Sequence, residues 1–219
     1  MMDALEPQRV EQIPWEQRDE IGFFKALWET WIEVLFSPKL FFQKRSLTPS
    51  LWTPLLYAMI LGTLAAIFEI PSLFDYVHYF PQWGVPDKIL KQWSMGSLIT
   101  APLWIALGTW VMAGIYHVGI ALLGGKGGYG ATFRTFCYAT SASVFGVIPW
   151  IGGLIASIYT FYLYLEGFQQ YHQLSRGRAI GALLLPVLVG FFVVIGVIVL
   201  FALLVGGTLF NGLPSFYTT

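Results

Sequence analysis

Few residues in this chain have the types and spacing that chemistry needs. The glycine run Gly124–Gly130, GGKGGYG, looks at first like a phosphate cradle. It lacks the GxxxxGK[ST] spacing, because Lys126 is followed by Gly127, and no strand leads into it. A tight turn between two helices explains the glycines better. In that turn Lys126 and exposed amides could touch an anionic lipid headgroup. The chain has 3 histidines and 1 cysteine, Cys137, so no metal cluster can be drawn and no intramolecular disulfide is possible. Serines and histidines show no triad spacing. The expectation is a protein with no cofactor, no bound metal and no enzymatic activity.

Charged and polar residues inside apolar stretches are the next candidates, because ionisable groups at membrane depth are functional by default. Pro149-Trp150-Ile151-Gly152-Gly153 reads as a tight hairpin between two helices. Arg134 lies fifteen residues before Pro149, and Glu166 lies fourteen after Gly152. At about 1.5 Å per residue both fall roughly 21–23 Å from the turn, which predicts an ion pair between them. Glu166 shares a helical stripe with Tyr159, Tyr162, Gln169, Gln170 and Gln173, a face that either lines a water-filled cavity or interlocks with neighbouring helices. His117 has Ala113, Gly114 and Ala121 on its face and is expected to point into the bundle. Glu69 is placed near Lys88 or Lys91 at the outer end of the first span.

The elements that must hold these residues follow from composition. Of 219 residues, 56% are apolar and only 11% are charged. A soluble domain carries about 25% charged residues, so lipid must surround most of this chain. The net charge is +0, with no basic stripe for a nucleic acid to follow. About five apolar stretches are long enough to span a bilayer as helices. They cover residues 51–70 (stopped by Pro71), 97–123, 131–149, 151–168 and part of 180–210. The third is polar, with Thr132, Thr135, Thr140, Ser141 and Ser143. The fold class is therefore all-α, a polytopic transmembrane helix bundle. The outer loop 71–96 is rich in aromatics that rest against headgroups.

Loop charge sets the orientation. Arg9, Arg18, Lys25, Lys39, Lys44, Arg45, Lys126, Arg134, Arg176 and Arg178 fall on one side, and only Lys88 and Lys91 on the other. The positive-inside rule then puts the N-terminus in the cytoplasm and the C-terminus outside. Lys126, Arg176 and Arg178 become candidate headgroup contacts.

The N-terminal region divides in two. Residues 1–19 are acidic and carry Pro7 and Pro14, which reads as a disordered tail. Residues 20–48 hold an amphipathic helix and a linker. Ile21, Phe24, Trp28, Trp31, Ile32 and Leu35 recur at helical spacing opposite Lys25, Glu29 and Glu33. Trp28 and Trp31 suit the headgroup boundary, so this helix is read as lying in the membrane plane. The competing reading packs it on a soluble partner. Pro38 ends it, and Phe41 and Phe42 are placed at the interface. The membrane domain covers 49–212, with a short external tail at 213–219. No apolar h-region precedes the first span, which then acts as an uncleaved signal.

Three stretches carry a family resemblance: LGGKGGYGATFR (122–134 with its flank), GVIPWIGGLIASIY (146–159) and GFQQYHQLSRGRAIGALLLP (167–186). With ETWIEVLFSPKLFFQK before the first span, their order and spacing resemble the Yip family, the Ypt/Rab-interacting membrane proteins. The resemblance implies a cytoplasmic N-terminus and five spans. Eukaryotic members act in vesicle trafficking and carry a DLYGP motif in a long N-terminal region. This chain has no DLYGP, so the resemblance does not carry small-GTPase binding over to it, and its short N-terminal region looks like that of prokaryotic members. The expected location is the cytoplasmic membrane, or an endomembrane in a eukaryotic source. The leading functional expectation is a non-enzymatic scaffold or adaptor whose partners are the bilayer and other membrane proteins or a second copy of itself. The alternative is a small-solute transporter or channel subunit using the stripe around Glu166. An intramembrane enzyme ranks third.

Overall fold

The computed structural model describes residues 12–44, 50–79 and 86–211. Every regular element among them is helical. A 3-10 turn, Pro14–Gln17, precedes α1 (Arg18–Ile21), α2 (Phe23–Phe36) and α3 (Pro38–Gln43). The long helices follow: α4 (Trp52–Tyr79), α5 (Asp87–Leu122), α6 (Tyr129–Ala139), a 3-10 segment (Thr140–Val147), α7 (Gly152–His172) and α8 (Arg176–Asn211).

Local sequence accounts for the breaks. Pro14 and Pro38 sit in the first turn of their helices, where a missing N–H costs nothing. Gly22 separates α1 from α2 at φ 93°, a left-handed conformation that glycine tolerates. The hairpin after the 3-10 segment works differently from its glycine signature. The residue with positive φ there is Trp150, at 70°. Gly152 is needed for space instead, because a Cβ built on it would lie 2.2 Å from the Phe145 carbonyl oxygen.

α4 packs on α5, α6 and the 3-10 segment, α5 packs on α6 and α8, and α7 packs on α3, α6, α8 and the 3-10 segment. Gly119 of α5 lets α8 approach. A Cβ built there would meet Leu185 at 3.3 Å and the Ala182 carbonyl at 3.4 Å, beside Pro186. One core joins Phe133, Phe136, Cys137, Leu165, Phe168 and Leu183. A second lies under the N-terminal segment and joins Ile13, Trp15, Val34, Phe41, Tyr57 and Tyr138.

Two helices among the described residues are long and apolar enough to cross a membrane, Met95–Leu122 and Arg176–Leu203, with a shorter apolar helix at Trp52–Phe68. Along α8, Leu188, Phe192, Val193, Val197 and Leu203 are all more than half exposed. An apolar surface that continuous suits lipid and not water.

The structure corrects several expectations. Pro71 does not stop the first stretch: α4 runs through it to Tyr79, since membrane helices re-satisfy the one carbonyl a proline frees. The loop 71–96 is accordingly mostly helix, because α5 begins at Asp87. The stretch 131–149 is not one α-helix, since its last part is an 8-residue 3-10 segment. Runs of that kind longer than 3–4 residues are uncommon. The small polar residues there bond to nearby backbone: Thr140 donates to the Cys137 carbonyl and Ser143 to the Thr140 carbonyl, each at 2.6 Å. Residues 12–19 are not a loose tail, because Ile13 and Trp15 are fully buried. Phe41 and Phe42 are not at an interface either. Phe41 packs edge-on to Tyr138 at 5.0 Å and Phe42 edge-on to Tyr171 at 5.5 Å. Residues 1–11, 45–49, 80–85 and 212–219 lie outside the described residues, so the expectations for the first eleven residues, Arg45 and the external tail do too.

Candidate functional site

α2 presents two unlike faces. Ala26, Thr30 and Val34 are buried against the bundle. The Thr30 Oγ1 accepts the Trp15 backbone N–H at 2.8 Å, and the Trp15 indole N–H donates to the Thr53 carbonyl of α4 at 2.7 Å. The opposite face is apolar and open: Phe24 is 82% exposed and Trp28 60%. Trp31 takes an intermediate place. Its ring lies 5.0 Å from that of Trp28, and its indole N–H donates to the Ser141 carbonyl at 3.3 Å. Tyr159 of α7 donates its hydroxyl hydrogen to the Leu35 carbonyl. Glu33 pairs with Lys44 at 2.8 Å and ties α3 to α2. Between α2, α4 and the 3-10 segment runs an apolar groove of about 450 Å³, bordered by Phe24, Trp28, Leu64, Phe68 and Val144.

A polar cluster sits at the end of the bundle where α5, α6 and α7 meet. His117 of α5 places Nδ1 2.9 Å from Thr132 Oγ1 of α6. The same hydroxyl lies 3.0 Å from Nε2 of His172, the last residue of α7 and beyond the apolar stretch of that helix. Thr132 and His172 are fully buried. Burial, then the nearby His117, push His172 down to about 4, while a backbone contact from Gly127 acts the other way. The glycine turn wraps this histidine. The Lys126 N–H donates to the His172 carbonyl at 3.0 Å, and a Cβ built on Gly127 would lie 2.7 Å from His172 Nδ1. Lys126, Arg176 and Arg178 are exposed at this same end, and Arg178 reaches Gly124.

Arg134 and Glu166 are level but do not meet. Thr135 packs directly on Gly167, which puts their neighbours Arg134 and Glu166 at one height. Successive helical residues point about 100° apart, so a contact between Thr135 and Gly167 turns the adjacent side chains away from it. Arg134 lines a polar pocket of about 570 Å³ with Lys44, Gln170, Tyr171 and Gln173. Glu166 is half-buried within electrostatic reach of Tyr162 and makes no ion pair among the described residues. Tyr162 is 37% exposed and stacks edge-on to Tyr159 at 5.7 Å. Among the described residues Arg134 and Glu166 make no ion pair with each other. Of the stripe, Gln169 bonds to the Leu165 carbonyl of its own helix at 3.2 Å. The side chains of Glu69 and Lys91 lie outside the described residues.

Sequence reasoning missed His172 and Trp15. His172 had a faint signal in the glycine run, which leaves room for a ring against backbone. Trp15 had none, because its partners lie 15 and 38 residues away. Among the described residues no group of three or more His, Cys, Asp or Glu could hold a metal ion.

No curated protein and no solved structure matches the chain. The family model described as the Yip1 domain matches residues 32–198, from the middle of α2 to well inside α8. That match covers more than half of the 219 residues and includes the glycine turn, the hairpin, the helix Met95–Leu122 and most of Arg176–Leu203. The chain belongs to the Yip1 family.

Proposed function

We propose that this protein is a non-enzymatic membrane scaffold whose α2 lies in the membrane plane beside a five-span bundle. The observation that carries this reading is the pair of faces on α2. One face is locked to the core through Ala26, Thr30 and Val34, and the other leaves Phe24 and Trp28 open. A helix held in that way inserts its apolar side into one leaflet and widens it, a means of organising membrane. Lengths support five crossings. The apolar part of α7, residues 152–168, measures about 26 Å, and α6 with its 3-10 segment about 32 Å. Both come near the roughly 30 Å of hydrocarbon. Loop charge supports a cytoplasmic N-terminus, which puts α2 and Lys126, Arg176 and Arg178 on the cytoplasmic side. The family is not known as enzymatic.

The experiment compares proteoliposomes of the wild type and of Phe24→Glu with Trp28→Glu. The wild type should narrow vesicle diameter in electron micrographs, and the double variant, at equal incorporation, should not. The same vesicles test transport, which the half-buried Glu166 keeps as the second reading. Solute flux that Glu166→Gln abolishes with the fold intact would replace the scaffold reading.

A further inference from the structure

Two of the three histidines of this chain converge on one hydroxyl. We propose that His117, Thr132 and His172 form a proton-operated latch that holds the Gly124–Gly128 turn against the end of α7 and releases it on acidification. This goes beyond the scaffold reading and does not depend on it.

Hydrogen counting gives the mechanism. The Thr132 hydroxyl has one hydrogen and two lone pairs. With both rings neutral, one histidine donates to Oγ1 and Thr132 donates to the other, so both bonds stand. A first proton is still compatible, since an imidazolium can donate to Oγ1 while the hydroxyl donates to the remaining neutral ring. A second proton leaves no acceptor for the hydroxyl hydrogen. It also sets two cations against each other with ring centroids 5.9 Å apart.

The surroundings oppose protonation of the closed form. His172 is fully buried, edge-on to Phe168 at 6.2 Å and covered by the turn at Gly127. Groups around this end of the bundle come from each packed element. Tyr129 of α6 lies edge-on to His117 at 5.8 Å, Tyr171 of α7 places its carbonyl against Gly127, the turn carries Lys126, and Arg178 of α8 meets Gly124. Hydration of the protonated rings requires the turn to lift. The sign follows from His172, which is depressed when folded. The latch has its full strength above the ordinary histidine range and loses it as pH falls from about 6.5 toward about 4.

The test is amide hydrogen exchange of the full chain in nanodiscs of zwitterionic lipid, followed from pH 7.5 to pH 4.5 and corrected for intrinsic exchange. The amides of Gly125 and Lys126, bonded to the Ile120 and His172 carbonyls, report the latch directly. Their protection should fall by about tenfold or more, while amides within α5 and α8 keep theirs. His117→Asn keeps a polar atom near the Nδ1 position without the charge, and should move the opening about half a unit to two units lower in pH. His172→Gln should leave exchange in the turn insensitive to pH. If His172→Gln lowers folded yield, His117→Asn decides alone. Wild-type protection that stays level to pH 4.5, or opening at the same pH in His117→Asn, would overturn the latch.

Discussion

Trp15→Ala should cost about 3–5 kcal/mol and free the N-terminal segment from the bundle. Trp15 is fully buried, with its ring 5.3 Å from that of Phe23 and 5.8 Å from that of Tyr57. Its backbone N–H is held by Thr30 and its indole N–H by the Thr53 carbonyl. One side chain thus joins the N-terminal turn, α2 and α4. Removing it leaves a cavity where three elements meet. Trp15→Phe separates packing from bonding, because it fills most of the volume and loses only the indole donor, for about 1–3 kcal/mol. Denaturant titration in detergent reads both, and limited proteolysis near Arg18 reads the release. Equal stability of Trp15→Ala and wild type would show that the segment is not part of the core.

This burial was illegible in the sequence for a physical reason. Ile13 and Trp15 stand among Glu, Gln, Arg and Pro with no period to mark a helix or strand. Local pattern records which face of an element is apolar, and here the burial is made by distant partners. The face of α2 was partly legible for the converse reason. Phe24, Trp28 and Trp31 do recur at helical spacing, but spacing could not show that Ser141 would take the Trp31 indole while Phe24 and Trp28 stay open.

Gly167→Ala has the second large effect. A Cβ on Gly167 would lie 2.3 Å from Thr135 Cγ2 and 2.7 Å from its Oγ1, and both residues are buried between α6 and α7. Thr135 has little room to turn, because its hydroxyl donates to the Ala131 carbonyl at 3.0 Å. Overpacking at such a contact costs about 1–3 kcal/mol. Thr135→Ala should relieve the clash, so the double variant should be more stable than Gly167→Ala alone. A mutant cycle measured by thermal denaturation in detergent checks this. Additive effects would show that the two helices do not touch at these residues.

The same contact explains what the hairpin could and could not reveal. Counting residues from Pro149 and Gly152 placed Arg134 and Glu166 at one level, and Thr135 does pack beside Gly167. Counting fixes height along a helix but not rotation about it. Rotation here is set by which small residue admits which neighbour, and glycine opposite threonine leaves the charged residues on other faces. The 3-10 segment was hidden in a similar way. A run of small polar residues is compatible with a membrane helix until Thr140 and Ser143 bond to nearby carbonyls and tighten the turn.

The proposed in-plane placement of α2 carries the functional account, and one measurement reaches it most directly. Cys137 is buried, so after Cys137→Ser a single nitroxide can be placed along α2 of the full chain in bilayers. Its collisions with oxygen and with a water-soluble nickel complex report its surroundings. The account predicts that labels at positions 24 and 28 meet oxygen far more than nickel, that a label at 25 meets nickel, and that one at 30 is shielded from both. Equal access of nickel to positions 24, 25 and 28 would contradict it, because the open face of α2 would then face water.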